Sequence, residues 1–148
     1  DRFNANGITH DRVTLLGTMD SFHDHLAHYA KADIALDTLP FSGATTTFQA
    51  LWMVVPVISL LGERFIGRMG GALSTHAGLD DLLTETRQDY VKKSVALAAD
   101  LPRLKDLRAG LRGRIGASPL CDGPSFAKNM EQAFLDMWDS RLSPGSTA

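Results

Sequence analysis

The chain has 148 residues, 44% hydrophobic and 22% charged, with a formal net charge of −2. This is the composition of one ordinary globular domain, and without a basic excess it argues against nucleic acid and other polyanions as partners. A single cysteine, Cys121, excludes an internal disulfide and favours a reducing compartment. No leader segment opens the chain, and its longest apolar run, residues 50–61, is too short to cross a bilayer. We therefore expect a cytoplasmic protein without membrane contact.

The first elements in chain order are a helix end, a strand and a helix. Residues 2–7 are typical of the last turn of a helix, because Asn6 and Gly7 form a good stop. A helix that is already ending here indicates a piece of a longer protein. Residues 13–16 form a short apolar run that predicts a strand, and Ser21 is expected to cap a helix that continues to about Lys31.

The middle of the chain predicts βαβ units. Residues 34–36 predict a strand that ends at Asp37, residues 45–53 a short helix, and "PVISL" (residues 56–60) a third strand. A helical segment separates each pair of strands. This is the pattern of parallel strands joined by right-handed crossovers.

Helices dominate the remainder. Residues 63–76, 87–101 and 102–116 predict helices, with a short segment at 79–83 between the first two. A final helix carries an apolar stripe that is either core or packs against a part of the protein outside this chain; it comprises Phe126, Met130, Phe134, Met137 and Trp138. Residues 1–142 are thus predicted to form one lobe, and residues 143–148, "SPGSTA", a disordered tail.

The predicted fold class is α/β, a partial doubly wound (Rossmann-like) parallel sheet with a helical C-terminal section. Three or four strands are fewer than the five or six of a complete doubly wound sheet, which again indicates part of a larger unit. In such folds, ligands bind beyond the carboxyl ends of the strands.

The segment "LPFSGATTT" (residues 39–47) lies at such a carboxyl end, before the helix predicted at 45–53. Gly43 would let a ligand approach the backbone, and the hydroxyls and N–H groups of Thr45, Thr46 and Thr47 could bind phosphate at a helix N-terminus. The alternative is structural: Thr45 caps the helix and its neighbours are solvated. The pattern alone leaves both interpretations open.

Several longer stretches resemble one known family. "ADIALDT", "ATTTFQALWM", "VPVISLLGERFIGR" and "GASPLCDG" together resemble the C-terminal catalytic region of protein O-GlcNAc transferases, the bacterial members in particular. The resemblance extends over nearly the whole chain. Members are two-lobed glycosyltransferases of the GT-B architecture that usually follow tetratricopeptide repeats. It implies that this chain is most of the second lobe, which binds the UDP-sugar donor, and that the first lobe and the repeats lie outside it.

The resemblance also implies roles for individual residues. Thr45 and Thr46 match the threonine pair at the donor pyrophosphate, Gly43 matches the loop glycine before it, and His25 matches a histidine beside the uridine. Three positions depart from the family pattern. Animal members have histidine in place of Ala44 and arginine in place of His28, and Gln49 replaces an acidic residue expected at the ribose hydroxyls.

Two further groups of residues carry alternatives. His23, His25 and His28 lie close in sequence, but no cysteine or pair of carboxylates completes a ligand set, so we expect no metal site. Asp37, at the end of a strand, could act as a general base, although a turn role that accepts backbone N–H bonds is favoured.

The function implied by the resemblance is transfer of N-acetylglucosamine from UDP to protein Ser/Thr hydroxyls. The expected donor-binding residues are His25, Gly43, Ala44, Thr45, Thr46, Thr47 and Gln49. No cofactor and no catalytic residue are assigned to this chain, which by itself is expected to be inactive. Expected partners are the UDP-sugar, an acceptor protein, the first lobe and repeats, and a second copy through the last helix. Two alternatives are a non-catalytic interaction module, suggested by Ala44 and Gln49, and a GT-B transferase for another sugar or acceptor.

Overall fold

A small parallel sheet lies at the centre of the fold. The computed structural model describes residues 2–142, so the predicted tail at 143–148 lies outside the described residues. The strands are β1 (Ala35–Leu36), β2 (Val57–Leu60) and β3 (Leu83–Thr84), in the order β1-β2-β3. β1 and β3 both run parallel to β2. The α/β class and the parallel strands are confirmed.

Helices connect and cover these strands. Within residues 2–142 the α-helices are α1 (Arg2–Ala5), α2 (Phe22–Ala27), α3 (Thr45–Trp52), α4 (Met69–His76), α5 (Arg87–Ala99), α6 (Leu101–Gly116) and α7 (Gly123–Leu142). Short 3-10 turns occur at His10–Arg12, His28–Lys31, Phe65–Gly67, Asp80–Leu82 and Pro119–Cys121. No helix in the described part of the chain has the length and apolar character that a membrane span requires.

Local sequence signals explain most helix boundaries. Ser21 caps α2 as predicted, because its hydroxyl accepts a hydrogen bond from the N–H of Asp24. Thr86 caps α5 and Asp100 caps α6 in the same way. Gly7, just after α1, has a φ of 75°, a conformation that glycine adopts without strain.

The hydrophobic core lies between the sheet and helices α3 to α6. β2 is its centre, since Val57, Ile58 and Ser59 are each at most 2% exposed and α3, α4 and α5 all contact the strand. α6 packs against α3 and α5. It contributes four buried side chains at helical spacing: Leu104, Leu107, Leu111 and Ile115.

Two strand predictions need correction. Residues 13–16 form no strand; they have no ladder partner, and Leu15 is 88% exposed. β3 was missed because its two residues are held by pairing with β2 rather than by a pattern of their own. For the stripe on α7 the sequence left two alternatives, and the first of them, a core position, is excluded because its side chains are exposed.

Candidate functional site

The candidate site lies where β1 ends and α3 begins. β1 ends at Leu36, and the chain passes through Asp37 and a loop, residues 38–44, into the first turn of α3. The loop therefore lies at the carboxyl edge of the parallel sheet, where doubly wound folds bind their ligands. The predicted order of strand, loop and helix is confirmed.

The first turn of α3 lacks a side-chain cap. The N-cap residue is Ala44 and Thr45 is the first helical residue, so the alternative in which Thr45 caps the helix is wrong. Ala44 has φ −111° and ψ −81°, outside the extended conformation in which capping residues usually occur, and no side chain of the described residues caps this helix. The first N–H groups of an α-helix have no acceptor within the helix. Those of α3 are consequently available to an external acceptor.

The three threonines differ in exposure. Thr45 and Thr46 are exposed, whereas Thr47 is only 4% exposed and belongs to the interior. Gly43 packs so closely on this turn that a Cβ at its position would lie 2.5 Å from Oγ1 of Thr47 and 2.8 Å from Oγ1 of Thr46. The sequence therefore needs glycine at residue 43 for packing, and only two of the three hydroxyls can reach a ligand.

Asp37 fixes the loop from the sheet. Its Oδ1 accepts hydrogen bonds from the N–H groups of Thr38, at 2.9 Å, and Gly43, at 2.7 Å. Its Oδ2 accepts one from the hydroxyl of Ser59 on β2, at 2.9 Å, and the residue is 8% exposed. The predicted turn role of Asp37 is confirmed.

Further hydrogen bonds hold the other side of the loop in place. Ser42, 1% exposed, accepts a hydrogen bond from the N–H of Gly70 on α4 and donates its own N–H to the carbonyl of Ile66. From α5, the Tyr90 hydroxyl donates to the main-chain carbonyl of Asp37, at 2.9 Å. Sequence reasoning missed Ser42 and Tyr90, because their partners lie 24 or more residues away.

We expect Tyr90 to make folding stability depend on pH in the alkaline range. Burial, and after it the charge of Asp37, raise the pKa of Tyr90 above its ordinary value of 10.0. The folded state thus holds the phenol proton more tightly than the unfolded state. The resulting stabilisation is complete below pH 10.0 and is lost as the pH rises through the folded-state pKa.

Urea unfolding between about pH 8 and about pH 11 measures this effect in the wild type and in Tyr90→Phe. The free energy of unfolding should fall more steeply with pH in the wild type. Equal slopes in the two proteins would contradict the assignment to Tyr90.

A second cluster joins α2 to α3. The Nε2 atom of His25 is hydrogen-bonded to Oε1 of Gln49, at 3.1 Å, and the Tyr29 hydroxyl donates to the carbonyl of Thr46, at 3.4 Å. The rings of Phe22 and Tyr29 flank His25, stacked at 6.2 Å and edge-on at 5.6 Å respectively. Two residues predicted for the site, His25 and Gln49, are thereby in direct contact.

A cavity of about 350 Å³ opens beside this cluster. Its lining includes Leu16, Gly17, Met19, His25, His28 and Tyr29. The Nδ1 atom of His28 lies 2.8 Å from the carbonyl of Asp24, and because a carbonyl can only accept, Nδ1 carries the hydrogen. The other ring nitrogen of a neutral His28 is then an acceptor. Tyr29 was not predicted for the site. Its position four residues after His25 could have indicated it, because residues at this spacing lie on the same face of a helix.

The first turn of α3, here called the threonine turn, supplies hydrogen-bond donors. The cavity beside His25 and His28, here called the histidine cavity, supplies an aromatic recess next to these donors. Among residues 2–142, no group of three or more His, Cys, Asp or Glu side chains could hold a metal ion. An anion bound at the first turn of α3 would meet the main-chain N–H groups and the exposed hydroxyls of that turn.

Comparison with known proteins identifies the family. The model of glycosyl transferase family 41 matches residues 2–130. The chain belongs to glycosyl transferase family 41. The resemblance noted in the sequence is confirmed, and with it the GT-B assignment of this α/β lobe.

Named relatives agree with this family. The chain is 41% identical over 132 residues to the Arabidopsis thaliana protein described as probable UDP-N-acetylglucosamine–peptide N-acetylglucosaminyltransferase SPINDLY, covering 89% of this chain and 14% of the relative. It is 31% identical over 140 residues to the Arabidopsis protein SEC, described in the same words, covering 94% and 14%. The chain thus spans about one seventh of these relatives.

A solved structure of a similar protein has the same fold. A mutant of the Thermobaculum terrenum O-GlcNAc transferase superposes with a TM-score of 0.84 at 39% identity. The match covers 91% of this chain and 26% of that one. Most of the fold described above therefore has a counterpart in a larger O-GlcNAc transferase.

Proposed function

We propose that this chain binds a UDP-sugar donor, UDP-N-acetylglucosamine, in a glycosyltransferase that modifies Ser/Thr hydroxyls of proteins. The observation that carries the proposal is the first turn of α3. It has no side-chain cap, it presents the exposed hydroxyls of Thr45 and Thr46, and it lies at the carboxyl edge of the sheet. The names of the family 41 relatives support the same donor and acceptor class.

The diphosphate would lie at the N-terminus of α3. Helix dipoles concentrate partial positive charge there, and the N–H groups point outward toward an anion. The hydroxyls of Thr45 and Thr46 add two donors on the same side, and Gly43 and Ala44 leave the backbone accessible. In this arrangement the helix dipole and these hydroxyls neutralise the diphosphate, so that a metal ion is not required for this purpose.

The uridine would occupy the cavity beside α2. Its aromatic and apolar lining suits a planar base, and His25 and His28 bring polar ring atoms to it. The His25–Gln49 and Tyr29–Thr46 hydrogen bonds connect this cavity to the threonine turn. In the proposed complex a single extended ligand contacts both places. Gln49 keeps a polar amide where the family pattern has an acid.

The proposed chemistry is a sugar transfer. The bond between the anomeric carbon and the diphosphate oxygen breaks, a bond forms from that carbon to the acceptor hydroxyl oxygen, and the hydroxyl proton passes to a base. The negative charge that develops on the departing UDP would be stabilised by the α3 N–H groups and by Thr45 and Thr46. We assign no base within this chain, and the activity is that of the whole protein.

The apolar face of α7 indicates a further protein contact. Phe126, Phe134 and Trp138 are each at least 58% exposed along a 20-residue helix. Exposed apolar surface of this extent is typical of an interface. We infer that another part of the full-length enzyme covers it, and that a chain isolated from that part would dimerise through it.

We expect Thr45→Ala/Thr46→Ala to weaken UDP binding by at least about tenfold while leaving uridine binding unchanged. A hydrogen bond to a charged group contributes about 1.5–3 kcal/mol, and uridine lacks the phosphates that these hydroxyls would meet. Calorimetric titration of the complete natural protein with both ligands measures the difference. The double variant Thr9→Ala/Thr14→Ala changes two exposed threonines elsewhere and serves as the matched control.

Other outcomes point to the other functions. A complete protein that binds neither UDP nor UDP-N-acetylglucosamine is a non-catalytic module. One that binds UDP but prefers a different UDP-sugar is a transferase of another specificity. UDP binding that survives the double substitution would place the diphosphate away from α3.

A further inference from the structure

We infer that Asp37 is a positioning residue, one that holds the first turn of α3 in place while leaving its N–H groups free for an anion. The inference rests on the proposed function, since it concerns how the donor diphosphate is received. It assigns a role to a buried carboxylate that is not itself expected to touch the ligand.

The starting point is the problem that an uncapped helix poses. Ser, Thr, Asp or Asn at the N-cap normally fixes a helix start by accepting a hydrogen bond from the N–H of the second or third residue. A capped start is rigid, but it has one fewer N–H group for a ligand. Here Ala44 provides no such bond, so the start of α3 lacks this fixation.

Asp37 supplies this fixation from the strand. Its Oδ1 accepts from the N–H of Gly43, the residue directly before the N-cap, at 2.7 Å. The contact reaches across six residues and uses an N–H group that lies outside the helix. The helix start is thereby attached to the end of β1, and the N–H groups of Thr45 and Thr46 remain available.

The carboxylate is itself held rigidly. The Ser59 hydroxyl on the central strand binds Oδ2, and Tyr90 binds the main-chain carbonyl of Asp37. The backbone of Gly70 packs so closely that a Cβ there would lie 2.2 Å from Oδ2. Contacts from β2, α4 and α5 therefore fix the position of Asp37. Through its own hydrogen bonds, Asp37 in turn fixes the position of the loop.

The charge of Asp37 cannot be what recruits an anion. A carboxylate repels phosphate, so its value at this place lies in the geometry of its acceptor oxygens. Asparagine keeps an acceptor oxygen at the same reach and removes the charge, whereas alanine removes both. The two substitutions thus separate positioning from electrostatics.

The test compares UDP and uridine binding by the complete natural protein in Asp37→Ala and Asp37→Asn, with thermal unfolding recorded for each variant. We expect Asp37→Ala to lower UDP affinity by at least about tenfold, the loss that about 1.4 kcal/mol produces, with uridine affinity unchanged. Asp37→Asn should keep the preference for UDP over uridine within about threefold of the wild type, because Gly43 still has its acceptor.

Each result either supports or overturns the positioning role of Asp37. A folded Asp37→Ala protein with the wild-type preference for UDP overturns the inference, and so does a folded Asp37→Asn protein that has lost it. If Asp37→Ala does not fold, Asp37→Asn alone decides. A wild type that shows no preference for UDP over uridine instead overturns the proposed function, whatever Asp37 does.

Discussion

Replacing Gly70 by alanine should lower the free energy of unfolding by about 1–3 kcal/mol and weaken UDP binding with it. Gly70 is buried in the first turn of α4, and a Cβ there would lie 2.2 Å from Oδ2 of Asp37 and 3.2 Å from the carbonyl oxygen of Gly43. The carboxylate cannot rotate away freely, because Ser59 and Gly43 bind its two oxygens. The added methyl group must therefore displace either α4 or the loop of residues 38–44.

The matched control for this prediction is Gly113→Ala. Gly113 is also helical, in α6, but it is exposed and nothing lies within 4 Å of a Cβ at its position. Alanine is favoured over glycine in a helix by about 0.5–1 kcal/mol, so this variant should be more stable than the wild type. Urea unfolding measures both variants. Equal effects of the two substitutions would mean that Gly70 is not constrained by Asp37.

Replacing Leu111 by alanine should have a larger effect still, a loss of about 2–5 kcal/mol of unfolding free energy. Leu111 is fully buried on α6, the helix that packs against both α3 and α5. Its truncation removes buried apolar contacts and leaves a cavity that the surrounding helices can only partly fill. A loss of this size is a large fraction of the stability of a typical domain.

Leu101→Ala is the control for Leu111→Ala, since the same side chain is removed from the same helix. Leu101 is 67% exposed at the start of α6, and substitutions of exposed residues usually change stability by less than about 0.5 kcal/mol. Thermal and urea unfolding of both variants give the comparison. Similar losses in the two would show that α6 does not form the core described here.

The loop that carries the candidate site could be predicted from the sequence because its signals are local. A strand that ends in an aspartate, a glycine-containing loop and a helix that begins with threonines are all contained in residues 34–53. The stretches that resemble protein O-GlcNAc transferases then led to the more specific prediction of a donor-binding lobe. The turn role of Asp37 was also within reach, because its partners Thr38 and Gly43 follow within six residues.

The finer arrangement of the site was not predictable in this way. Thr45 looks like a cap by residue type, yet Ala44 takes the N-cap position and Thr45 is the first helical residue. The contact of His25 with Gln49 joins residues 24 apart in the chain. The type of a residue determines which interactions its side chain can make, whereas the partner that the side chain contacts depends on how the helices pack.

By itself the sequence determined the α/β class, the α-helices apart from the start of α4, which lies at Met69 and not at residue 63, the parallel strands β1 and β2, and the loop that carries the candidate site. These follow from periodicity, capping and turn residues, which act over a few neighbouring positions. The tertiary structure alone decided that residues 13–16 are not a strand, that β3 pairs with β2, that Tyr90 and Gly70 enclose Asp37, and that the α7 stripe is exposed. Each of these depends on contacts between residues distant in the chain, and such contacts form only when the whole core packs.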